Sequence, residues 1–179
     1  MVMHSAFIPA MAHPITVNAL VAIVDQAQFM ANSRGRPSAA VFAELNEFYL
    51  LTERVIAAAD GLVIKFMGDA ALIVFPAELA DLGITTLLNL KAETDAWFRV
   101  RRIASTLHVN VHFGEVTLGK MGTIDRLDGI GETVNECALL PHRGFTLSEP
   151  AYAHLSPDQQ QAFVRAAPPA TTYHPRASQ

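Results

Sequence analysis

The chain has 179 residues, of which 51% are hydrophobic and 17% charged, and its formal net charge is −4. This length predicts one domain, and the composition is too apolar for disorder and rich enough for a core. Nucleic-acid-binding surfaces normally carry a basic excess, so the acidic balance argues against that class of partner. The single cysteine, Cys137, excludes a disulfide within the chain and fits a cytoplasmic location.

No apolar run reaches the roughly 18–20 residues that span a bilayer, so we expect no membrane segment in this chain. The residues before Pro14 are apolar but lack the basic start of a signal peptide. We predict three regions along the chain. They are an N-terminal arm over residues 1–16, a folded domain over residues 17–166 and an extended C-terminal tail over residues 167–179.

The first predicted element is a buried strand over Val17–Val24, an apolar run rich in β-branched residues that ends at Asp25. A polar loop over residues 26–37 follows. Apolar residues at helical spacing then predict an amphipathic helix of about five turns. Ser38 is its predicted N-cap, and we expect it to stop at Asp60-Gly61, with the glycine in the left-handed conformation.

A β-hairpin is predicted from Leu62 to Phe75, because two short apolar runs flank Gly68-Asp69. Residues 77–102 are predicted to be helical. Gly83 disfavours a helix interior, so an alternative is that the region forms two helices.

The second half of the chain predicts short elements. In order, they are strands over 107–113 and 116–121, a loop over 123–131, a helix over 132–140, a strand over 145–147, a helix over 149–155 and a last helix that begins with a capping box at Ser156. The complete order of elements predicts an α+β sandwich, with helices packed on a mainly antiparallel sheet.

Two carboxylates, Asp25 and Asp69, occupy a strand end and a hairpin tip. If the first strand lies beside the hairpin, both carboxylates point into one cleft. Paired carboxylate oxygens are ligands that hard divalent cations prefer. On spacing alone, the alternative is a strand-ending aspartate and an ordinary turn aspartate.

Five segments occur in a fixed order along the chain. They read AIVD at 22–25 followed by Phe29, GLVIKFMGD at 61–69, VHFGEV at 111–116, GETVN at 131–135 and FTLSEPAYAHL at 145–155. In register, these segments resemble the catalytic domain of class III adenylate and guanylate cyclases, over roughly residues 18–163. The resemblance implies a ferredoxin-like nucleotidyl cyclase sandwich, an α+β fold with a mainly antiparallel sheet.

The resemblance also implies roles for individual residues. Asp25 and Asp69 match the aspartates that hold two Mg²⁺ or Mn²⁺ ions per site, and Phe29 belongs to the same substrate-contacting segment. Lys65 and Asp128 match the pair that reads the base, and a lysine donor with a carboxylate acceptor favours ATP over GTP. Read without the resemblance, Lys65 and Asp128 are a solvated strand lysine and a loop carboxylate.

One catalytic position departs from the family pattern. Asn135 matches the asparagine that orients the ribose, but the transition-state arginine, expected four residues later, is Leu139. The loss of one such charge-stabilising donor typically costs on the order of 10²–10³ in rate. Arg143 is the candidate replacement within the chain, although Pro141 disfavours the continuous helix that would align it, and a partner chain supplying an arginine is the alternative.

The resemblance implies a homodimer, because each site of the family draws its aspartates from one domain and its base-reading pair and asparagine from another. Three functions stay open: an adenylate cyclase that forms cyclic AMP and pyrophosphate from ATP, a non-catalytic cyclase-homology domain that binds nucleotide or a partner in signalling, and a nucleotide hydrolase. His108 and His112 share a strand face, but a histidine pair without further ligands is not a metal site, and we interpret His112 as structural.

Overall fold

The computed structural model describes residues 4–123, 126–166 and 171–176. The strands are β1 (Ile15–Gln26), β2 (Leu62–Met67), β3 (Ala70–Pro76), β4 (Leu107–Met121), β5 (Arg126–Ile130), β6 (Phe145–Ser148), β7 (Phe163–Ala166) and β8 (Thr172–Pro175). The helices are α1 (Phe29–Ser33), α2 (Ser38–Ala57), α3 (Ala80–Arg101), α4 (Glu132–Leu139), α5 (Glu149–Ala153) and α6 (Pro157–Gln160). Short 3₁₀ turns cover Ile8–Met11 and Ala77–Leu79. None of the described helices is long and apolar enough to cross a membrane.

All eight strands form one sheet in the order β2-β3-β1-β4-β6-β8-β7, and β5 pairs with the far end of β4. Every pairing is antiparallel except that between β4 and β6. The central strand β1 lies between β3 and β4, so that Asp25 faces Ala70 on one side and His108 on the other. The predicted α+β sandwich with a mainly antiparallel sheet is confirmed.

The sheet has two different faces, because side chains alternate along each strand. Leu20, Ala22 and Val24 of β1 join a core with α2 and α3, whereas Val21 and Ile23 face α4. Cys137 of α4 is fully buried on that second face, with its Sγ 3.2 Å from the Asn110 carbonyl oxygen. Burial raises the pKa of the Cys137 thiol to about 12, so Cys137 is a core residue and not a reactive thiolate.

The region predicted as two strands around Gly114-Glu115 is one continuous strand, β4. Gly114 is not a turn residue. A Cβ there would lie 2.6 Å from Oγ1 of Thr133, so the glycine allows α4 to pack closely on the strand. The predicted loop over 123–131 contains β5, which pairs with the end of β4.

Two predictions about helix boundaries were wrong in detail. Pro37, not Ser38, precedes the first turn of α2, and no side chain caps it. After α2, Asp60 adopts the left-handed conformation, with φ 56°. Gly61 is needed for space instead, because a Cβ there would lie 2.4 Å from Cε1 of Phe75.

Gly83 does not divide the long helix, since α3 runs unbroken from Ala80 to Arg101. A Cβ at Gly83 would lie 2.9 Å from Leu20 and Phe75, so this glycine lets α3 approach the sheet. The predicted last helix is only the four-residue α6. It leads into β7, which pairs with β8 from the region predicted as an extended tail.

The contact at Gly61 generates a stability prediction. Gly61→Ala should lower the free energy of unfolding by about 1–3 kcal/mol, because the added methyl group overpacks the buried ring of Phe75. Urea denaturation measures this loss. In a Phe75→Leu background the same substitution should cost clearly less, and an equal cost in both backgrounds would show that the clash is not the cause.

Candidate active site

Asp25 and Asp69 are brought together by the pairing of β1 with β3. Asp25 is opposite Ala70, the residue that follows Asp69 in the turn between β2 and β3. Both side chains are half-buried. Burial, opposed by a backbone hydrogen bond and reinforced by the nearby Asp25 carboxylate, raises the pKa of Asp69 to about 6. Two carboxylates held in this way favour a bound cation, because it relieves both desolvation and mutual repulsion.

Tyr49 of α2 anchors the turn that carries Asp69. Its hydroxyl donates a 2.7 Å hydrogen bond to the Gly68 carbonyl oxygen, and its ring stacks on Phe66 with centroids 3.7 Å apart. Burial, with a smaller effect of Asp69, raises the pKa of the Tyr49 phenol, so the hydroxyl remains a donor at neutral pH. In the sequence, Tyr49 is one of the apolar residues at helical spacing, and that pattern does not reveal its positioning role.

Lys65 and Asp128 form an ion pair across the gap between β2 and β5. The Lys65 Nζ lies 2.8 Å from Oδ1 and 3.0 Å from Oδ2 of Asp128. The Gly129 amide donates to Oδ1 at 2.7 Å and fixes the carboxylate. Asp128 lies in a strand, not in the loop that the sequence predicted. A cavity of about 410 Å³ opens beside the pair, lined also by Phe66 and Arg126.

Asn135 and Leu139 lie one helical turn apart on α4, and both are exposed to solvent. The Leu139 side chain is 78% exposed, which is unusual for a large apolar residue. Helix α4 ends at Leu139, and Leu140 is extended.

Arg143 does not occupy the next turn of α4, because the helix has already ended. It lines a groove formed by α3, the start of β6 and the end of β8, together with Leu88 and Lys91. The continuous helix that would have aligned Arg143 with Leu139 is therefore absent. Phe29, the remaining candidate, is half-buried at the start of α1, four residues after Asp25.

A larger cavity, of about 700 Å³, lies between α4 and α5 and does not include the aspartate pair. Its lining carries four carboxylates, those of Glu115, Glu132, Glu136 and Glu149. Such a lining repels a triphosphate. His112 also faces this cavity, and burial lowers its pKa.

Solved structures with the same architecture are nucleotidyl cyclases. A bacterial light-regulated adenylyl cyclase superposes with a TM-score of 0.78 at 22% identity, over 91% of this chain and 53% of that one. The adenylyl cyclase CyaB from P. aeruginosa superposes with a TM-score of 0.79 at 16% identity, over 93% of this chain and 97% of that one. The guanylate cyclase domain of RhGC from Catenaria anguillulae, in complex with GTP, superposes with a TM-score of 0.78 at 18% identity, over 92% of this chain and 100% of that one.

The chain has the class III nucleotidyl cyclase fold. This confirms the fold expected from the five sequence segments. No protein-family model matches the chain.

Sequence relatives of this cyclase-fold chain match only part of it. Adenylate cyclase 1 of Rhizobium meliloti (strain 1021) is 28% identical over 123 residues, which is 63% of this chain and 18% of that protein. The uncharacterized protein Rv1320c of Mycobacterium tuberculosis (strain ATCC 25618 / H37Rv) is 35% identical over 114 residues, which is 59% of this chain and 19% of that protein. The chain thus spans about a fifth of the length of the curated relatives that it matches.

The raised pKa of Asp69 generates a prediction about pH and metal. Between pH 3.8 and about 6 the folded chain holds a proton on Asp69 that the unfolded chain releases, so stability should fall as pH rises through this window. At pH 8 without metal, Asp69→Asn should therefore raise the melting temperature.

Thermal unfolding in EDTA and in Mn²⁺ measures both effects. Mn²⁺ should stabilise the unmodified chain at pH 8 and should stabilise Asp69→Asn much less. Equal stabilisation of the two proteins by Mn²⁺ would show that Asp69 is not a metal ligand. A variant less stable than the unmodified chain in EDTA would show that the Asp69 charge does not destabilise the fold.

Proposed function

We propose that the chain is the catalytic domain of an adenylate cyclase that converts ATP to cyclic AMP and pyrophosphate. The observation that carries this proposal is the approach of Asp25 to Asp69 within a cyclase fold. The Lys65–Asp128 pair beside its cavity supports the choice of nucleotide. Because ATP is the substrate, we place the domain in the cytoplasm.

The donor set of the aspartate pair fits Mg²⁺ or Mn²⁺, with two ions per site. All donors are carboxylate oxygens, and the raised pKa of Asp69 reports repulsion and desolvation that a divalent cation relieves. When bound, such ions polarise the ribose 3′-hydroxyl and the triphosphate. Asp25 and Asp69 would hold them, and Tyr49 keeps the Asp69 turn in place.

Lys65 and Asp128 would read the base. The Lys65 ammonium can donate to a ring nitrogen of adenine, and the Asp128 carboxylate can accept from its exocyclic amino group. Guanine presents a carbonyl oxygen and a protonated ring nitrogen at those positions, so it requires the opposite donor and acceptor arrangement. In the free chain the two side chains satisfy each other, and they would separate to admit the base.

Asn135 would orient the ribose of a nucleotide bound to a second copy of the chain. Its exposure on α4, beside the exposed apolar side chain of Leu139, suits a surface that another protomer covers. A symmetric homodimer then contains two equivalent sites, each with aspartates from one protomer and Asn135 from its partner. Phe29, which follows Asp25 by four residues, would contact the same substrate.

Turnover should be slow, because Leu139 cannot stabilise charge on the α-phosphoryl oxygens. Leu139→Arg should raise kcat by roughly 10²–10³, and because the Leu139 side chain is exposed in the single chain, the substitution should not disturb its fold. Leu139→Gln is the matched control, since it is polar and uncharged. Steady-state cyclic AMP formation measures both variants. If arginine and glutamine have the same effect, the missing guanidinium does not limit the rate.

A second candidate function is a non-catalytic cyclase-homology domain that binds nucleotide or a partner in signalling. The observation that favours it is the position of Arg143, which lies in a groove beside α3 and not after Leu139 on the helix. If Arg143→Ala leaves cyclic AMP formation unchanged, Arg143 is not the replacement arginine. An arginine from a different partner chain would then be needed for fast turnover.

The test of the proposed function is cyclic AMP formation by the purified chain with ATP and Mg²⁺ or Mn²⁺. Asp25→Ala and Asp69→Ala should each abolish the product. Tyr49→Phe, which keeps the stacked ring but removes the hydrogen bond to Gly68, should lower activity without abolishing it. No product from the unmodified chain, together with metal-dependent binding of ATP, would favour the non-catalytic candidate.

A further inference from the structure

We propose that His108, His142 and Asp25 form a binding site for a transition-metal ion of the zinc class. One ligand atom from each side chain lies within 4.8 Å of the other two. Within the described parts of the chain, this is the one group of three or more histidine, cysteine and acidic side chains that is close enough to share an ion. Strand alternation had paired His108 with His112, whereas in the structure His108 lies beside His142, and Asp25 adds the further ligand that a histidine pair lacks.

Three separate elements bring these ligands together. Asp25 of β1 is directly opposite His108 of β4 in the antiparallel register. His142 lies in the connection between α4 and β6, and its ring centroid is 6.1 Å from that of His108. The connection is fixed beside β4, because the Val109 amide donates a 2.7 Å hydrogen bond to the Gly144 carbonyl oxygen.

The ligand types select the metal. Two imidazole nitrogens and one carboxylate oxygen suit Zn²⁺, with a fourth position open to water. Magnesium prefers oxygen ligands and keeps much of its water, so it should not compete well for this set. Ligand atoms around tetrahedral zinc lie about 3.3 Å apart, given bonds of about 2.0–2.1 Å. The three ligand atoms, which lie within 4.8 Å of one another, must therefore move closer together to bind zinc. His142 can make this small shift because its side chain is exposed.

The charge around His108 does not exclude a cation. The basic groups whose charge acts on His108 are His142, itself a proposed ligand, and Lys91, whose ammonium is paired with Asp95 at 2.8 Å. Lys91 also donates to the hydroxyl of Thr106 and to the carbonyl oxygen of Leu107. The Lys91 ammonium is therefore held by these hydrogen bonds, and the Asp95 carboxylate offsets its positive charge. Asp25 supplies a negative charge to the proposed zinc site.

Asp25 is shared between this site and the aspartate pair, and this has a consequence that rests on the proposed function. A zinc ion on His108 and His142 engages the carboxylate that the catalytic ions require. Zinc should therefore inhibit cyclic AMP formation through His142, a residue that the catalytic reaction does not use.

Zinc titration of the purified, metal-free chain against a chromophoric chelator tests the site without reference to activity. We expect one zinc ion per chain, and His142→Ala should weaken binding at least tenfold, since it removes one of three protein ligands. The matched control is His13→Ala, another exposed histidine, which should bind zinc like the unmodified chain. Thermal unfolding of His142→Ala checks that the variant is folded.

A further variant separates this site from the aspartate pair. Asp69→Ala should keep its zinc affinity, because Asp69 is not in the group. Retained zinc binding in His142→Ala, with loss in Asp69→Ala, would overturn the proposal and place zinc on the aspartate pair. In the cyclase assay, zinc should inhibit the unmodified chain more strongly than His142→Ala. The titration shows whether zinc binds at this site even if the chain makes no cyclic AMP. Failure of the zinc-site proposal can therefore be told apart from failure of the proposed cyclase activity.

Discussion

The structure depends on two like charges held close together at the end of the central strand. Pairing of β1 with β3 sets Asp25 beside the Asp69 turn, and the hydrogen bond from Tyr49 to Gly68 fixes that turn. Desolvation and repulsion make this arrangement unfavourable for an isolated chain, as the raised pKa of Asp69 shows. A divalent cation between the two carboxylates would replace this repulsion by attraction, and the metal binding that we propose follows from this constraint.

The two faces of the sheet differ in role: one packs against the long helices, and the other carries the candidate site residues. One face is covered by α2 and α3 and carries an extensive apolar cluster, which gives the strands a rigid support. The other face also has an apolar cluster beneath α4, but it and its edges carry Asp25 and the Lys65–Asp128 pair, and Asn135 of α4 is exposed to solvent. Strand alternation produces this division, because every second residue of β1 and β4 turns away from the core formed with α2 and α3. Under the proposed function, the face that carries Asp25 is where a second protomer completes the site.

The sequence predicted those parts of the molecule that local pattern determines. The hairpin around Gly68-Asp69, the long helices and the overall fold are confirmed, because alternation, helical spacing and turn residues act over short distances. The strands β5, β7 and β8 were missed, because they are only four or five residues long and mix apolar residues with charged residues, glycine or proline. The approach of His142 to Asp25 and the hydroxyl contact of Tyr49 were missed because they join residues that are far apart in the sequence. The roles of Lys65, Asp128 and Asn135 stay predictions that mutagenesis must decide.

The central claim is that two copies of the chain share each catalytic site. The most direct measurement mixes two inactive variants, Asp25→Ala and Asn135→Ala, and follows cyclic AMP formation. In a mixed dimer, one of the two sites has an intact Asp25 from one protomer and an intact Asn135 from its partner. A shared site predicts that the equimolar mixture recovers about a quarter of the activity of the unmodified chain, since half of the dimers are mixed and each of these has one intact site out of two. A mixture as inactive as its components, beside an active unmodified chain, would contradict the shared site.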